Sequence, residues 1–328
     1  MTDTTLRWGI LGTAEISRET IRGLRAGGAG ELRAVASRDA ARARTWAREH
    51  DIPLAFGSYD ELLRSGEVDV IYNPLPNSLH ATWTIKALAA GLHVLCEKPL
   101  TVDAAEARAV ARAAAQAGRC VAEGFMYRHH PQWTRVRELV ADGAIGEVRT
   151  LHSVFTWFND DPRANPVSVE LAGGALRDVG CYCVHFSRLI VGAEPLRVSA
   201  FERRAGVDLA MLGLLEFPAG VLASFETGLD SFERHGARIA GTRGEIVVEQ
   251  PWVPGDRPAR LQLLRTGKNA EQIVVPPADS YRLQAEAFAA LCRGEGDADA
   301  ARNDAVANMT VLDALFTAAC EGRAVPVG

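Results

Sequence analysis

Leu6-Arg7-Trp8-Gly9-Ile10-Leu11-Gly12-Thr13-Ala14-Glu15-Ile16-Ser17 reads as a buried strand that runs into a tight turn and then a helix. Gly12 can make the turn, Thr13 follows it, and Ala14 adds only a methyl where a backbone must come close to a phosphate. Ile16 opens the helix, and Ser17 is small enough for helix and strand to pack closely. The stretch is a degenerate match to the dinucleotide fingerprint G-x-G-x-x-G, whose second glycine is here Ala14. A helix starting at such a turn offers its free N–H groups to a pyrophosphate.

Working outward, apolar runs at 6–11, 32–36, 68–72, 92–96 and 120–123 alternate with amphipathic, Ala- and Arg-rich segments. Alternation of this kind requires right-handed crossovers and a parallel sheet covered on both faces. After Glu123 the texture changes. Helical patterns at 131–141 and 174–191 flank a strand at 147–157 and an irregular segment rich in Asn, Asp and Pro. Short strand-like runs follow at 198–204, 209–217, 221–228, 237–240, 245–248, 261–264 and 273–275, then helices near 280–292 and 304–320. The expected fold class is α/β: a doubly wound Rossmann domain over 1–122, then an α+β domain over 123–328 built on a large, mostly antiparallel open-faced sheet.

The chain has 328 residues, 48% of them hydrophobic and 23% charged, as in an ordinary globular protein. A net charge of -5, with the arginines of the first fifty residues spread among Ala and Asp, excludes a nucleic-acid footprint. No apolar run reaches the roughly 18 residues of a membrane span, and the start lacks the layout of a signal peptide, so a cytoplasmic protein is expected. The six cysteines, Cys96, Cys120, Cys181, Cys183, Cys292 and Cys320, show no paired metal spacing. Free thiols and no metal are the expectation.

At the end of the second strand stands Ala36-Ser37-Arg38-Asp39. An acid at the first position of the turn would hold the ribose hydroxyls of NAD. Ser37 stands there instead, and Arg38 offers a planar fork to a 2'-phosphate, with Arg42 joining the candidate set. NADP(H) is therefore the expected cofactor. Asp39, two residues late, is the alternative ribose ligand.

The strand at 92–96 ends in Glu97-Lys98-Pro99, which places Lys98 at the carboxyl edge of a parallel sheet, where ligands of this architecture bind. In Gly173-Gly174-Ala175-Leu176-Arg177-Asp178-Val179-Gly180-Cys181-Tyr182, Asp178 and Tyr182 are expected to share a helical face. Trp157, Phe158, Arg163 and Asn165 lie in the irregular segment before that helix. Such a segment suits a substrate lid or a nicotinamide contact, with simple packing of a long loop as the other reading. Arg128-His129-His130-Pro131 reads as a cap and domain interface, because adjacent histidines diverge and no third metal ligand has convincing spacing.

Taken together, Gly9-Ile10-Leu11-Gly12-Thr13-Ala14, Asn73-Pro74-Leu75-Pro76-Asn77-Ser78-Leu79-His80, Glu97-Lys98-Pro99, Glu123-Gly124-Phe125-Met126-Tyr127-Arg128 and the helix motif ending at Tyr182 resemble the Gfo/Idh/MocA oxidoreductase family. Within it, the chain is most similar to the branch of glucose-fructose oxidoreductases, dimeric dihydrodiol dehydrogenases and sugar 3-ketoreductases. The resemblance implies that Lys98 is catalytic and that Tyr182 exchanges the substrate hydroxyl proton while hydride passes to or from the nicotinamide. A free tyrosine titrates near about 10, so this role needs a neighbouring cation, which Lys98 would supply. Asp178 is assigned to orienting the lysine or holding a substrate hydroxyl.

The resemblance also places Pro74, Leu75, Asn77 and His80 beside the nicotinamide ribose, with Glu97 in a supporting role beside the nicotinamide; Arg163 joins the candidate cofactor contacts, and Tyr127, Arg128, Trp157 and Asn165 are the candidate substrate contacts. The expected activity is NADP-dependent dehydrogenation or reduction of a sugar, sugar derivative, polyol or cyclic diol. A nucleotide-sugar 3-ketoreductase and a non-enzymatic NADP sensor on the same fold are the alternatives. Retention of both Lys98 and Tyr182 argues against the sensor. A homodimer or homotetramer is expected through the open sheet face.

Overall fold

A computed structural model of the chain describes residues 5–255 and 257–328. In the first 126 residues, strands β1 (Arg7–Leu11), β2 (Glu31–Ala36), β3 (Leu54–Phe56), β4 (Val70–Asn73), β5 (His93–Cys96) and β6 (Val121–Glu123) form one parallel sheet in the order β3-β2-β1-β4-β5-β6. Helices α1 (Ser17–Ala26), α2 (Ala40–Glu49), α3 (Tyr59–Arg64), α4 (Asn77–Ala89) and α5 (Ala104–Ala117) alternate with them. The order reverses between β1 and β4, and the crevice outside the carboxyl ends at such a reversal is where open α/β sheets bind ligands. The edge strand β3 went unforeseen because it is only three residues long and follows Pro53, too short to stand out from a loop.

Beyond Met126 come α6 (Pro131–Ala141), the long strand β7 (Val148–Phe158), a π-helical turn at Leu176–Gly180 and α7 (Cys181–Val191). Strands β8 (Arg197–Ala205), β9 (Val207–Glu216), β10 (Leu222–Gly228), β11 (Asp230–Gly241), β12 (Gly244–Val248), β13 (Ala259–Arg265) and β14 (Glu271–Val275) follow, then α8 (Ser280–Cys292), α9 (Ala298–Glu321) and the short β15 (Val325–Pro326). The nine strands of the second sheet run β14-β13-β12-β11-β7-β10-β9-β8-β15, antiparallel except where β7 meets β10. Strand β11 reaches back to Asp230, well before the apolar stretch that announced it, since Glu233, Arg234 and His235 mask its start.

Alternation along these strands separates the two faces of the sheet. Val198, Ala200, Met211, Leu215, Ala223, Phe225, Leu151 and Ile239 are buried on one face. On the other, Phe201, Leu212, Leu214 and Leu222 are exposed, with Phe201 paired directly to Leu212 across β8 and β9. No helix among the described residues is long and apolar enough to cross a membrane.

The chain divides into two compact units, one taking it to Met126 and again over Asp279–Val306, the other covering Tyr127–Ala278 and Ala307–Gly328. The expected boundary at 122 falls close to the first division. Residues 279–306, expected in the second domain, belong instead to the first. The reason is apolar packing: Ala285, Phe288 and Ala289 of α8 enter the same buried cluster as Trp8, Ile10, Ile21 and Val35. Trp8 meets Phe288 edge-on at 5.9 Å. Gly23 permits this approach, because a Cβ there would lie 2.6 Å from the backbone nitrogen of Arg282.

Candidate active site

The turn after β1 is made by Gly12 at φ +86°, the left-handed region that glycine enters without strain. A Cβ at Gly12 would stand 3.0 Å from Leu75 Cδ2, so the turns after β1 and β4 close on one another. Helix α1 begins with no side-chain cap, and the buried Ser17 Oγ has no hydrogen-bond partner among the described residues. The N–H groups of Ser17, Arg18 and Glu19 already donate to the carbonyls of Ala14, Glu15 and Ile16, so it is the glycine turn and the orphaned Ser17 hydroxyl that fit a bound pyrophosphate.

At the end of β2 the two readings of Asp39 are separated by its geometry. Asp39 Oδ1 accepts from the backbone N–H groups of Ala41 at 2.8 Å and Arg42 at 3.2 Å and so caps α2, while the Asp39 N–H donates to the buried Ser37 Oγ at 3.3 Å. Its Oδ1 thus caps the helix start. Arg38 and Arg42 remain exposed and lie about the Tyr59 hydroxyl, whose ionisation is pushed up by burial and eased back by these two cations. Two guanidinium groups with no acidic partner among the described residues fit a 2'-phosphate better than a bare ribose.

Lys98 is half-buried, and its loop is tied down on both sides. Glu97 is buried, accepts from the Tyr72 hydroxyl at 2.8 Å, and receives the Lys98 backbone N–H at 3.3 Å. Burial raises its carboxyl above the usual range, against the opposing pull of the Lys98 charge and the Tyr72 hydrogen bond. Gly124 clears the room, since a Cβ there would meet Glu97 Oε1 at 3.2 Å. The peptide bond from Lys98 to Pro99 is cis.

His80 is 1% exposed and sits between the loops after β4 and β5. Its Nδ1 lies 2.8 Å from the Pro99 carbonyl oxygen and its Nε2 2.6 Å from that of Leu75. Two carbonyls favour a doubly protonated ring, whereas complete burial and the Lys98 charge oppose it. Burial prevails and lowers the imidazole to about 4, so the ring is neutral and donates to one carbonyl at a time. His80, expected beside the cofactor, is thus a clamp that positions the Lys98 loop, because both ring nitrogens are already taken by backbone. Asn73, buried in β4, ties the same region together by donating to Thr84 Oγ1 at 3.1 Å and accepting from the Leu75 N–H at 3.3 Å. Pro74 and Leu75 are buried, and Asn77 is the first residue of α4.

In the second unit, the segment from Gly174 to Tyr182 does not form one continuous α-helix. Its first turn is π-helical, with the Cys181 N–H reaching back to the Leu176 carbonyl, and such turns recur at functional sites. The turn is anchored from a distance by Asp208 in β9, whose Oδ2 accepts from the Leu176 N–H at 2.7 Å. Gly174, at φ +118°, makes this possible, for a Cβ there would collide with Asp208 Oδ1. Burial pushes the Asp208 carboxyl up to about 6, and the Leu176 hydrogen bond works against that rise.

Tyr182 is nearly buried on α7, with ring centroids of Phe155, Tyr127 and Trp252 at 5.4, 5.6 and 5.9 Å. Trp157 Nε1 donates to Asp178 Oδ2 at 3.0 Å, so two residues that were singled out separately are joined. Arg128 Nη1 donates to His185 Nε2 at 3.3 Å, which leaves Nδ1–H to donate to the Tyr127 hydroxyl oxygen at 2.6 Å. Tyr127, Arg128, Trp157, Asp178 and Tyr182 therefore lie in linked networks of one unit. Arg163 and Asn165 are exposed, Arg163 being paired with Asp161, while the Asn165 backbone packs at Gly173, where a Cβ would lie 2.7 Å from its carbonyl oxygen. Tyr72, Asp208 and Trp252 escaped the sequence reading, as each acts on a segment far away in the chain and carries no local motif.

Comparison with known proteins agrees with this geometry. Residues 6–125 match the oxidoreductase family model with an NAD-binding Rossmann fold, and residues 133–247 match the Gfo/Idh/MocA C-terminal domain. The chain is 39% identical over 328 residues to a D-xylose 1-dehydrogenase (NADP(+)) of Haloferax volcanii, covering 98% of this chain and 99% of the relative. It is 36% identical over 255 residues to trans-1,2-dihydrobenzene-1,2-diol dehydrogenase of Mus musculus, covering 76% of each. Among solved structures, the 3-ketoreductase KijD10 of Actinomadura kijaniata, crystallised with NADP and TDP-benzene, superposes with a TM-score of 0.91 at 30% identity over 96% of this chain and 98% of the other. With both of its domains matched and relatives of this identity along nearly its whole length, the chain belongs to the Gfo/Idh/MocA oxidoreductase family.

Proposed function

We propose that this chain is a cytoplasmic NADP(H)-dependent oxidoreductase that interconverts a secondary alcohol and a ketone on a sugar, sugar derivative or cyclic diol. The observation that carries the cofactor half of this reading is the end of β2, where Asp39 caps α2 while Arg38 and Arg42 stand exposed. The substrate half rests on relatives that act on xylose and on a dihydrodiol.

NADP(H) supplies or accepts the hydride at C4 of its nicotinamide. Tyr182 passes the hydroxyl proton, and the Lys98 ammonium stabilises charge growing on the carbonyl oxygen. Asp178, held by the Trp157 indole, receives a substrate hydroxyl. The turn at Gly12 and the Ser17 hydroxyl hold the pyrophosphate. In KijD10, lysine variants and a tyrosine variant have been crystallised with NADP and TDP-benzene, and the two altered positions are separated along that chain as Lys98 and Tyr182 are along this one. That coincidence of spacing supports the assignment of the pair.

A substrate panel of aldoses, inositols, dihydrodiols and keto sugars, followed by NADPH absorbance in both directions, tests the reading. Turnover with at least one class and a preference for NADPH over NADH is the expected result. Oxidation or reduction supported only by NADH would overturn the cofactor assignment. KijD10 also favours a second reading, reduction of a nucleotide-linked keto sugar, and a dTDP-linked ketone in the panel distinguishes it.

The exposed row of Phe201, Leu212, Leu214 and Leu222 supports a homodimer or homotetramer formed through the open sheet face. Light scattering at micromolar concentration should report an oligomer that Leu214→Glu dissociates, whereas a monomeric wild-type chain would contradict this assembly.

A further inference from the structure

Three side chains far apart in the sequence meet at the opposite edge of the first sheet from Gly12 and Lys98. His93 opens β5, Cys120 directly precedes β6, and Cys292 is the last residue of α8. Their ligand atoms all lie within 4.8 Å of one another. Tetrahedral zinc, with bonds of about 2.3 Å to sulfur and 2.0–2.1 Å to nitrogen, sets its ligand atoms about 3.5–3.8 Å apart, so small side-chain movements close the trio on a cation.

We propose that His93, Cys120 and Cys292 form a binding site for a zinc-class divalent cation, with water as fourth ligand, that ties the end of α8 to the sheet.

The Cys120 N–H donates to His93 Nδ1 at 3.0 Å, which puts the ring proton on Nε2, and Nδ1 exchanges this hydrogen bond for the cation on binding. The Cys120 thiol donates to the Leu291 carbonyl oxygen at 3.4 Å. Binding forms two metal–sulfur bonds and one metal–nitrogen bond and releases the two thiol protons to solvent, with no change of oxidation state. A disulfide would use only the two sulfurs and would give the imidazole no part. Cys120 is 8% exposed, and Cys292 and His93 are more open, with His93 lining a cleft together with Gly91 and Arg119, so an ion has a route in.

The test uses the full chain, reduced, stripped with chelator and titrated anaerobically with Co²⁺. One equivalent should bring up thiolate-to-cobalt charge transfer and the visible bands of tetrahedral cobalt, and Zn²⁺ should bleach both. Cys292→Ser and Cys120→Ser should each abolish the signal, and His93→Gln should weaken binding at least about tenfold. Cys320→Ser, which alters the exposed cysteine elsewhere, should leave it intact. Zn²⁺ should raise the thermal midpoint of the wild type but not of Cys292→Ser, whose folding is checked by NADPH binding. Absence of stoichiometric cobalt uptake, bands that survive Cys292→Ser, or a Cys120–Cys292 disulfide in a protein that takes up no metal when reduced would each overturn the proposal.

Discussion

Lys98 stands on a loop tied down by buried polar side chains, whereas Tyr182 stands on a helix whose first turn is gripped from a distant strand and whose ring is wedged among aromatics. In the first unit His80 and Glu97 hold the loop, the one through carbonyls of Leu75 and Pro99, the other through the Tyr72 hydroxyl. In the second, Asp208 receives the Leu176 N–H, and Phe155, Tyr127 and Trp252 surround the ring. Both units thus bury ionisable groups to position a proposed reactive one: burial lowers the His80 imidazole but raises the carboxyls of Glu97 and Asp208. His80 and Asp208 should therefore give pH dependences of opposite sign.

The largest effect is expected from the reactive group itself. Tyr182→Phe keeps the ring in its aromatic setting and removes only the hydroxyl, so kcat should fall by about 10²–10⁴-fold while NADPH binding, followed by fluorescence, stays within error. Unchanged turnover would separate α7 from the chemistry and leave the Lys98 loop without its counterpart.

A smaller effect should come from the first unit alone. Arg38→Ala removes a charge-assisted contact to the 2'-phosphate and should raise the KM for NADPH roughly 10- to 100-fold without altering that for NADH. Equal losses with both cofactors would show that Arg38 serves the fold and not the phosphate.

His80→Gln should reduce kcat on the order of tenfold with little change in NADPH affinity, because it loosens the loop and not the phosphate turn. The same variant reads the pH sign. The folded ring titrates at about 4, below its ordinary 6.5, so its stabilisation is full above pH 6.5 and is lost as pH falls towards 4. Melting temperatures of the wild type should drop across that window, and those of His80→Gln should drop less.

Asp208 has the reverse sign and the smallest effect. Its folded carboxyl titrates at about 6, above the ordinary 3.8, so its contribution is full below pH 3.8 and is lost as pH rises through about 6. Asp208→Asn still offers an oxygen to Leu176 and should hold its melting temperature above pH 6 better than the wild type. A parallel pH profile for the two proteins would break the contrast between His80 and Asp208.

Much of this was legible along the chain wherever cause and effect are neighbours. Gly12, most of the apolar strands and the position of Lys98 at the end of β5 follow from local pattern, and the alternation of strands and helices implied a parallel, doubly wound first sheet. What the chain did not reveal was contact at a distance. Helix α8 belongs with Trp8 because Phe288 packs there, and no feature of 280–292 says so. The π-helical turn before α7 is held by Asp208, the second residue of β9. Asp39 is the intermediate case: an Asp before Ala40-Ala41-Arg42 is a helix-start signal, yet a ribose ligand would occupy the same place, and only the hydrogen bonds to Ala41 and Arg42 separate the two. His93, Cys120 and Cys292 are invisible as a group for the same reason, since three separate elements bring them together.

The central claim is a direct hydride transfer between substrate carbon and NADP, served by Lys98 and Tyr182. It is tested most directly with a substrate deuterated at the reacting carbon, taken from the panel that supports turnover, and analysis of the nicotinamide by mass spectrometry and NMR. Deuterium should appear at C4 of the reduced nicotinamide with the wild type, and its rate of appearance should collapse in Lys98→Met and Tyr182→Phe although both still bind NADP. Deuterium lost to solvent with the wild type, or transferred at the wild-type rate by both variants, would contradict the account.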